Sequence, residues 1–122
     1  MEPKFIFFSG GLNDCGDSLR SVERYDCTYD RWDILSELNV ARYSHSSCIL
    51  GMMVYVLAGL DESDLKINSI EKLANIEGPV PSAMSPWQLI QPNESFQPRS
   101  NSVSCSWNER EIVILGGVDN NN

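Results

Sequence analysis

The chain of 122 residues has one histidine, His45, and its four cysteines, Cys15, Cys27, Cys48 and Cys105, form no C-x-x-C pair. A metal centre draws several imidazole, thiolate or carboxylate ligands together at set spacing, and no such group is legible here, so no metal and no cofactor is expected. One histidine among scattered serines defines no nucleophile–base–acid arrangement, so His45 is read as a structural side chain and no catalytic residue is assigned. Basic residues are scarce as well: 9 Lys and Arg against 17 Asp and Glu leave a formal net charge of −8. That balance excludes a general binder of nucleic acid or of anionic membrane, which needs a basic surface to meet phosphates. Long apolar runs are also missing. The run from Ile49 to Leu60 is twelve residues and contains Gly51 and Gly59, against the roughly 20 residues that cross a bilayer. Phe5-Ile6-Phe7-Phe8 stops at Ser9-Gly10-Gly11, too short for the apolar core of a secretory signal, so reduced thiols in a cytoplasmic setting are expected. Gly10-Gly11 and Gly16 lack the Lys-Ser/Thr ending of a phosphate loop.

What is present is repetition. Three runs of β-formers close on glycine: residues 5–11, 54–60 and 112–117, with the first glycine of each at 10, 59 and 116. Ser21 to Tyr25 aligns with Ser69 to Leu73, Trp32 with Trp87, Arg42 with Arg99, and Cys48 with Cys105, all in the same order. A step of about 50 residues that recurs this way marks a stacked array of small units. The apolar runs are too short for helices and rich in Val, Ile and Phe, so they read as strands. Ser47 to Leu50 and Val103 to Trp107 precede short turns and pair with the following run as hairpins. Each unit is then four short antiparallel strands, a to d, and the chain reads b-c-d, a-b-c-d, a-b. Val22 and Tyr25 fall on positions of opposite parity, which points to a twisted or bulged strand c. Asn75 to Pro86 is expected to be a loop because Pro79, Pro81 and Pro86 interrupt helix and central strand alike.

The glycine pair Gly10-Gly11, Tyr25 with Trp32 seven positions later, Ala41-Arg42, and the strands around His45 to Leu50 and Val54 to Leu57 together resemble a kelch-repeat protein. The resemblance covers roughly Phe5 to Gly117. It departs in the second unit, which has Gly59-Leu60 for the glycine pair, Leu73 for the tyrosine, and a longer link between strands c and d. The resemblance implies an all-β fold of kelch-type β-propeller blades, each of four antiparallel strands, in an incomplete propeller. Residues 5–35 supply strands b-c-d of one blade, 42–90 a full blade, and 99–117 strands a-b of a third. A propeller needs about 4–8 blades to close, so a fragment of a longer propeller or a truncated gene product is expected. Trp32 and Trp87 are expected to be buried at matching sites between blades.

The resemblance also implies a non-catalytic protein-interaction module with a protein or peptide partner. That partner is a substrate of a cullin-type ubiquitin ligase, for which the chain would be part of the adaptor, or a cytoskeletal protein. The alternative is a piece of a kelch-type propeller enzyme, oxidase-like or epimerase-like, whose catalytic residues lie outside this chain. In a meander of this kind the b-to-c and d-to-a connections share one face. That face would carry Asp14, Asp17, Asp61, Glu62 and Asp64, with Arg42 and Arg99 at the ends of the d-to-a connections. These seven are the candidate partner-binding residues, and Arg42 is expected beside Asp61 to Asp64 as an exposed forked donor. Cys48 and Cys105, equivalent in strand a, are read as small buried side chains rather than as a paired thiol sensor.

Overall fold

A computed structural model of the chain describes residues 4–74, 76–78 and 86–120. They hold strands β1 (Phe5–Ser9), β2 (Val22–Asp26), β3 (Arg31–Ile34), β4 (Ser46–Leu50), β5 (Met53–Leu57), β6 (Ile70–Ala74) and β7 (Gln88–Ile90). β8 (Arg99–Ser100), β9 (Val103–Trp107), β10 (Glu111–Leu115) and β11 (Val118–Asp119) follow, and no helix occurs among the described residues. The sheets are β1-β2-β3, β4-β5-β6-β7, β9-β10 and β8-β11, antiparallel throughout. The fold is therefore all-β, with one four-stranded kelch-type blade between two partial ones. Most of the expected loop, Asn75 and residues 79–85, lies outside the described residues; within it, Ile76 is buried on a turn.

Two sequence readings change. Strand β2 pairs without a bulge from Val22 to Asp26. Val22 and Tyr25 are simply on opposite faces of a regular strand. The glycine pair of the second blade is Ala58-Gly59, not Gly59-Leu60. The amide of Gly10 donates to Ser21 O at 2.9 Å as that of Ala58 donates to Ser69 O at 3.1 Å. The φ values agree: 59°, 59° and 67° at Gly10, Ala58 and Gly116, then 96°, 97° and 90° at Gly11, Gly59 and Gly117. An alanine in the left-handed region at Ala58 hid this register from a search for paired glycines. Gly59 is held by contact as well as by φ, because a Cβ there would lie 2.7 Å from Tyr43 O and from His45 Cβ.

Alternation along the strands gives each blade two faces. Val54, Val56, Glu71, Leu73 and Trp87 turn toward the first blade and are buried. Val54, Val56, Leu73 and Trp87 pack with Val22, Leu35, Leu38, Ile76 and the half-buried Phe7 in the hydrophobic core. Fully burying one such aliphatic side chain stabilises by about 1.5–3 kcal/mol. Arg24 ties the same junction. Its guanidinium sits 2.8 Å from Asp33 and donates to the carbonyls of Ile76 and Gly78 at 2.9 and 2.8 Å.

Trp87 is 3% exposed and its indole N–H donates to Ser36 O, in the first blade's outgoing connector, at 2.8 Å. Trp32, at the same position one blade earlier, is 55% exposed and touches the rings of Phe8 and Tyr25 at 5.2 and 5.1 Å. The expectation of burial holds for Trp87 and is corrected for Trp32. No described residue stands where Ser36 stands for Trp87.

Candidate functional site

The b-to-c connections of the first two blades fold alike. Asn13 Oδ1 accepts from the amides of Cys15 and Asp17, both at 2.9 Å. Asp61 Oδ1 accepts from those of Ser63 and Leu65 at 2.8 and 3.0 Å. A short side chain that caps its own turn is why Asn and Asp stand here. The connector after β3 runs beside the first of these loops, its Leu38 and Arg42 amides donating to Arg20 O and Leu19 O at 2.8 and 3.2 Å.

Between the two loops and the connector lies a cleft of about 590 Å3. Ser18, Leu19, Arg20, Ser21, Glu37, Asn39, Val40, Ala41, Asp61, Glu62 and Ser63 line it. Arg20 and Glu37 form an ion pair at 3.2 Å on its wall, both more than half exposed. With Arg20 answered by Glu37, the charge left over in the cleft is that of Asp61 and Glu62.

The seven candidate residues separate on this geometry. Asp61 and Glu62 line the cleft; Asp14, Asp17, Asp64, Arg42 and Arg99 do not. The carboxylates of Asp61, Asp17 and Asp64 are engaged locally: Asp61 in its own turn, Asp17 with Asn13 Nδ2 at 3.2 Å, Asp64 by the Tyr43 hydroxyl. That bond to Asp64 raises the Tyr43 pKa, with burial and the charges of Asp64 and Asp61 adding to it. Glu62 and Asp14 are exposed and carry no ion pair among the described residues.

Arg42 departs most from expectation. It is fully buried, not an exposed donor beside Asp61 to Asp64. Its Nη1 donates to Ala58 O and Ser69 O, both at 3.0 Å, and its Nη2 to Ser69 Oγ at 3.1 Å and Glu71 Oε2 at 3.0 Å. Glu71 is itself buried and accepts from the amides of Asn39 and Val40 at 2.6 and 3.0 Å. Burial lowers the Arg42 pKa, and the charge and hydrogen bond of Glu71 oppose that shift. A side chain sealed in this way cannot touch a partner, so Arg42 belongs to the scaffold.

Arg99 is half-buried. It donates to Gln97 O at 3.2 Å and Gly116 O at 3.4 Å and stacks over Phe96 at 5.3 Å. Glu37, Arg20, Ser18, Ser21, Asn39 and Ser63 are the other polar residues of the cleft lining. Glu37 was findable, since it sits in a d-to-a connection that topology already placed on this face.

His45 lies below this face, with Nε2 2.9 Å from Ser9 Oγ. Burial first, then the charge of Arg42, pushes its pKa down to about 4, so the ring is neutral at pH 7. Among the described residues no three His, Cys, Asp or Glu side chains cluster as metal ligands. Cys48 is half-buried, and burial raises its pKa, but Cys105 is exposed, which corrects the reading of two buried thiols. They point the same way from successive blades, Cys48 toward Ser104 and Cys105 toward solvent.

Glycine-marked, antiparallel units of up to four strands, stacked face to face, define a β-propeller repeat protein. Residues 6–39 match the Kelch motif, and the chain belongs to the kelch-repeat family. It is 30% identical over 116 residues to Kelch-like protein 36 of Bos taurus, covering 93% of this chain and 18% of that protein. Over 83 residues it is 31% identical to an F-box/kelch-repeat protein of Arabidopsis thaliana, covering 67% of this chain and 20% of that protein. Kelch-like protein 15 of Homo sapiens is 23% identical over 120 residues, covering 94% of this chain and 20% of its own length. The chain thus spans about a fifth of the length of the curated relatives it matches.

Proposed function

We propose that the chain is a non-catalytic, cytoplasmic protein-interaction module that holds a basic or polar peptide segment of a partner protein in the cleft between its first two b-to-c loops. The observation that carries this reading is the cleft itself: about 590 Å3, open to solvent, walled by rigid turns, and left acidic after Arg20 is paired with Glu37. Loops fixed on a rigid β scaffold are where binding residues concentrate. Complementary charge raises the encounter rate and selects the partner. The kelch-repeat relatives support a protein partner, and we read that partner as a substrate presented to a cullin-type ubiquitin ligase. Glu62 supplies the free carboxylate, and Ser21 and Ser63 supply hydroxyls for backbone groups of the peptide.

The test is binding of lysine- and arginine-bearing peptides against matched acidic peptides by fluorescence anisotropy. The basic set is expected to bind more tightly, to weaken with salt, and to lose about five- to tenfold in affinity in Glu62→Lys, with thermal stability unchanged. Equal binding of both sets, or wild-type affinity in Glu62→Lys, overturns the reading. Asp61 is unsuited to the test because its carboxylate builds the loop.

A further inference from the structure

The two loops beside the cleft share one turn and differ at one place within it. In each, the fourth residue donates its amide to the carbonyl of the first at 3.0 Å: Gly16 to Asn13, and Asp64 to Asp61. Both fourth residues lie in the left-handed region, at φ 82° and 61°. Glycine takes that conformation freely, whereas the Cβ of any other residue crowds its own backbone there. The first loop shows that glycine suffices for the turn, so Asp64 contributes something other than backbone shape. Its carboxylate accepts from the Tyr43 hydroxyl.

Tyr43 belongs to the other wall. It continues the connector that lines the cleft with Glu37, Asn39, Val40 and Ala41, and it follows Arg42, which is sealed in the interior. Its amide donates to Leu60 O at 3.0 Å and its carbonyl accepts from the Leu60 amide at 2.8 Å, where the loop leaves the sheet. Tyr43 thus grips the loop twice, by backbone at its root and by phenol near its tip. Asp61, Glu62 and Ser63, the loop residues that line the cleft, lie between the two grips. The next repeat keeps the backbone grip alone: Ser100 pairs with Val118 as Tyr43 pairs with Leu60. The blade therefore forms without the phenol. We propose, on the reading of the cleft as a peptide site, that Tyr43 is its positioning residue: by holding Asp64 it ties the loop wall to the connector wall and sets where Glu62 stands before a bound peptide. A wall fixed in advance need not be ordered when the partner binds. The raised pKa of Tyr43 keeps the donated proton in place through the neutral range.

Amide hydrogen exchange at Ser63 and Leu65, whose amides the Asp61 carboxylate holds, follows the loop with no peptide present. Fluorescence anisotropy of a lysine-bearing peptide follows the cleft. Tyr43→Phe removes only the hydroxyl and changes no charge. It is expected to speed exchange at both amides about three- to tenfold, as loss of one hydrogen bond does, and to weaken the peptide about three- to fivefold, with the far-ultraviolet sheet spectrum unchanged. Asp64→Asn and Asp64→Gly lose the same charge, but only asparagine keeps an acceptor for the phenol. Exchange is expected to stay within about twofold of wild type in Asp64→Asn and to match Tyr43→Phe in Asp64→Gly. Wild-type exchange in Tyr43→Phe overturns the proposal, as does faster exchange with undiminished affinity for the peptide. Exchange that follows the acceptor in this order, in a wild-type chain that binds no basic peptide, overturns the peptide reading of the cleft and leaves the clasp between its walls standing.

Discussion

Trp87 and Trp32 hold the same place in the repeat and turn to the same face, yet one is 3% exposed and the other 55%. Arg42 and Arg99 are a second such pair: one is buried among Ala58, Ser69 and Glu71, the other half-buried on backbone carbonyls and a phenylalanine ring. Glu71 and Glu23 are a third, buried and exposed respectively. In every pair the backbone is equivalent and the neighbour is not. Repeat position sets where a side chain points; the next element decides whether it meets protein or water. Energetic roles therefore do not carry over from one blade to the next, even where residue identity does.

The largest effects should separate the tryptophans. Trp87→Ala is expected to cost about 3–5 kcal/mol, since it empties a core site and leaves Ser36 O without its indole donor. Trp32→Ala should cost about 1 kcal/mol or less, the value of its ring contacts at an exposed site. Urea unfolding of the two variants reads the difference directly, and equal losses would show that the first blade's face is already covered in solution.

The arginines should divide in the same way. Arg42→Ala strands Glu71 as a buried charge and is expected to cost about 3–5 kcal/mol, while Arg99→Ala should cost about 1 kcal/mol or less. Adding Glu71→Gln to Arg42→Met should recover part of the loss. The amide oxygen of Gln still accepts from one of the Asn39 and Val40 amides, which Glu71 serves through its two separate oxygens. Glu71→Leu should not recover it, because both part-buried amides then lose their acceptor.

His45 offers a smaller, pH-dependent effect. Its pKa in the fold is about 4 against an ordinary 6.5. Between those values the unfolded chain takes up a proton that the native chain refuses. Stability is therefore fully present above pH 6.5 and falls as pH drops toward 4, by at most about 3 kcal/mol. Unfolding followed from pH 7 to pH 4.5 should show a gap between wild type and His45→Gln that narrows steadily with acid. A constant gap would mean that His45 takes up its proton in the fold as readily as in the unfolded chain and contributes through packing alone.

Much of the fold was legible because its signals are local. Alternating apolar runs, turn residues and a recurring order of Arg, Cys and Trp place the strands of all three units, and only the brief β8–β11 pair was not foreseen. Ala58 shifted one register by a residue because left-handed backbone is read from glycine, and an alanine can be forced into it by the strands around it. The loop face was legible as a face, from topology. Its membership was not, because exposure depends on partners distant in sequence: Arg42 meets Glu71 29 residues away, and Glu37 joins Asp61 and Glu62 across a cleft that exists only after two blades stack. Aspartates that cap their own turns look the same in sequence as aspartates free to bind.

The smallest stability effect sharpens the contrast between that loop face and the interior. Arg20 and Glu37 are paired at 3.2 Å with side chains 54% and 63% exposed, whereas Arg42 and Glu71 are paired at 3.0 Å and wholly buried. The distances are nearly the same, but water screens the first pair and not the second. Arg20→Ala is expected to change unfolding free energy by about 0.5 kcal/mol or less, and sodium chloride should erase even that. Its effect on recognition has the opposite rank. With Arg20 gone, Glu37 is released and the cleft gains a second free carboxylate beside Glu62, so a basic peptide should bind several-fold more tightly at low salt than to wild type. Anisotropy titration of one lysine-bearing peptide against both proteins, at low and at high salt, measures this. Tighter binding that disappears with salt places the Arg20–Glu37 pair as a brake on the cleft. A large loss of stability instead would make the pair a structural strut and break the division between a buried scaffold and an adjustable rim.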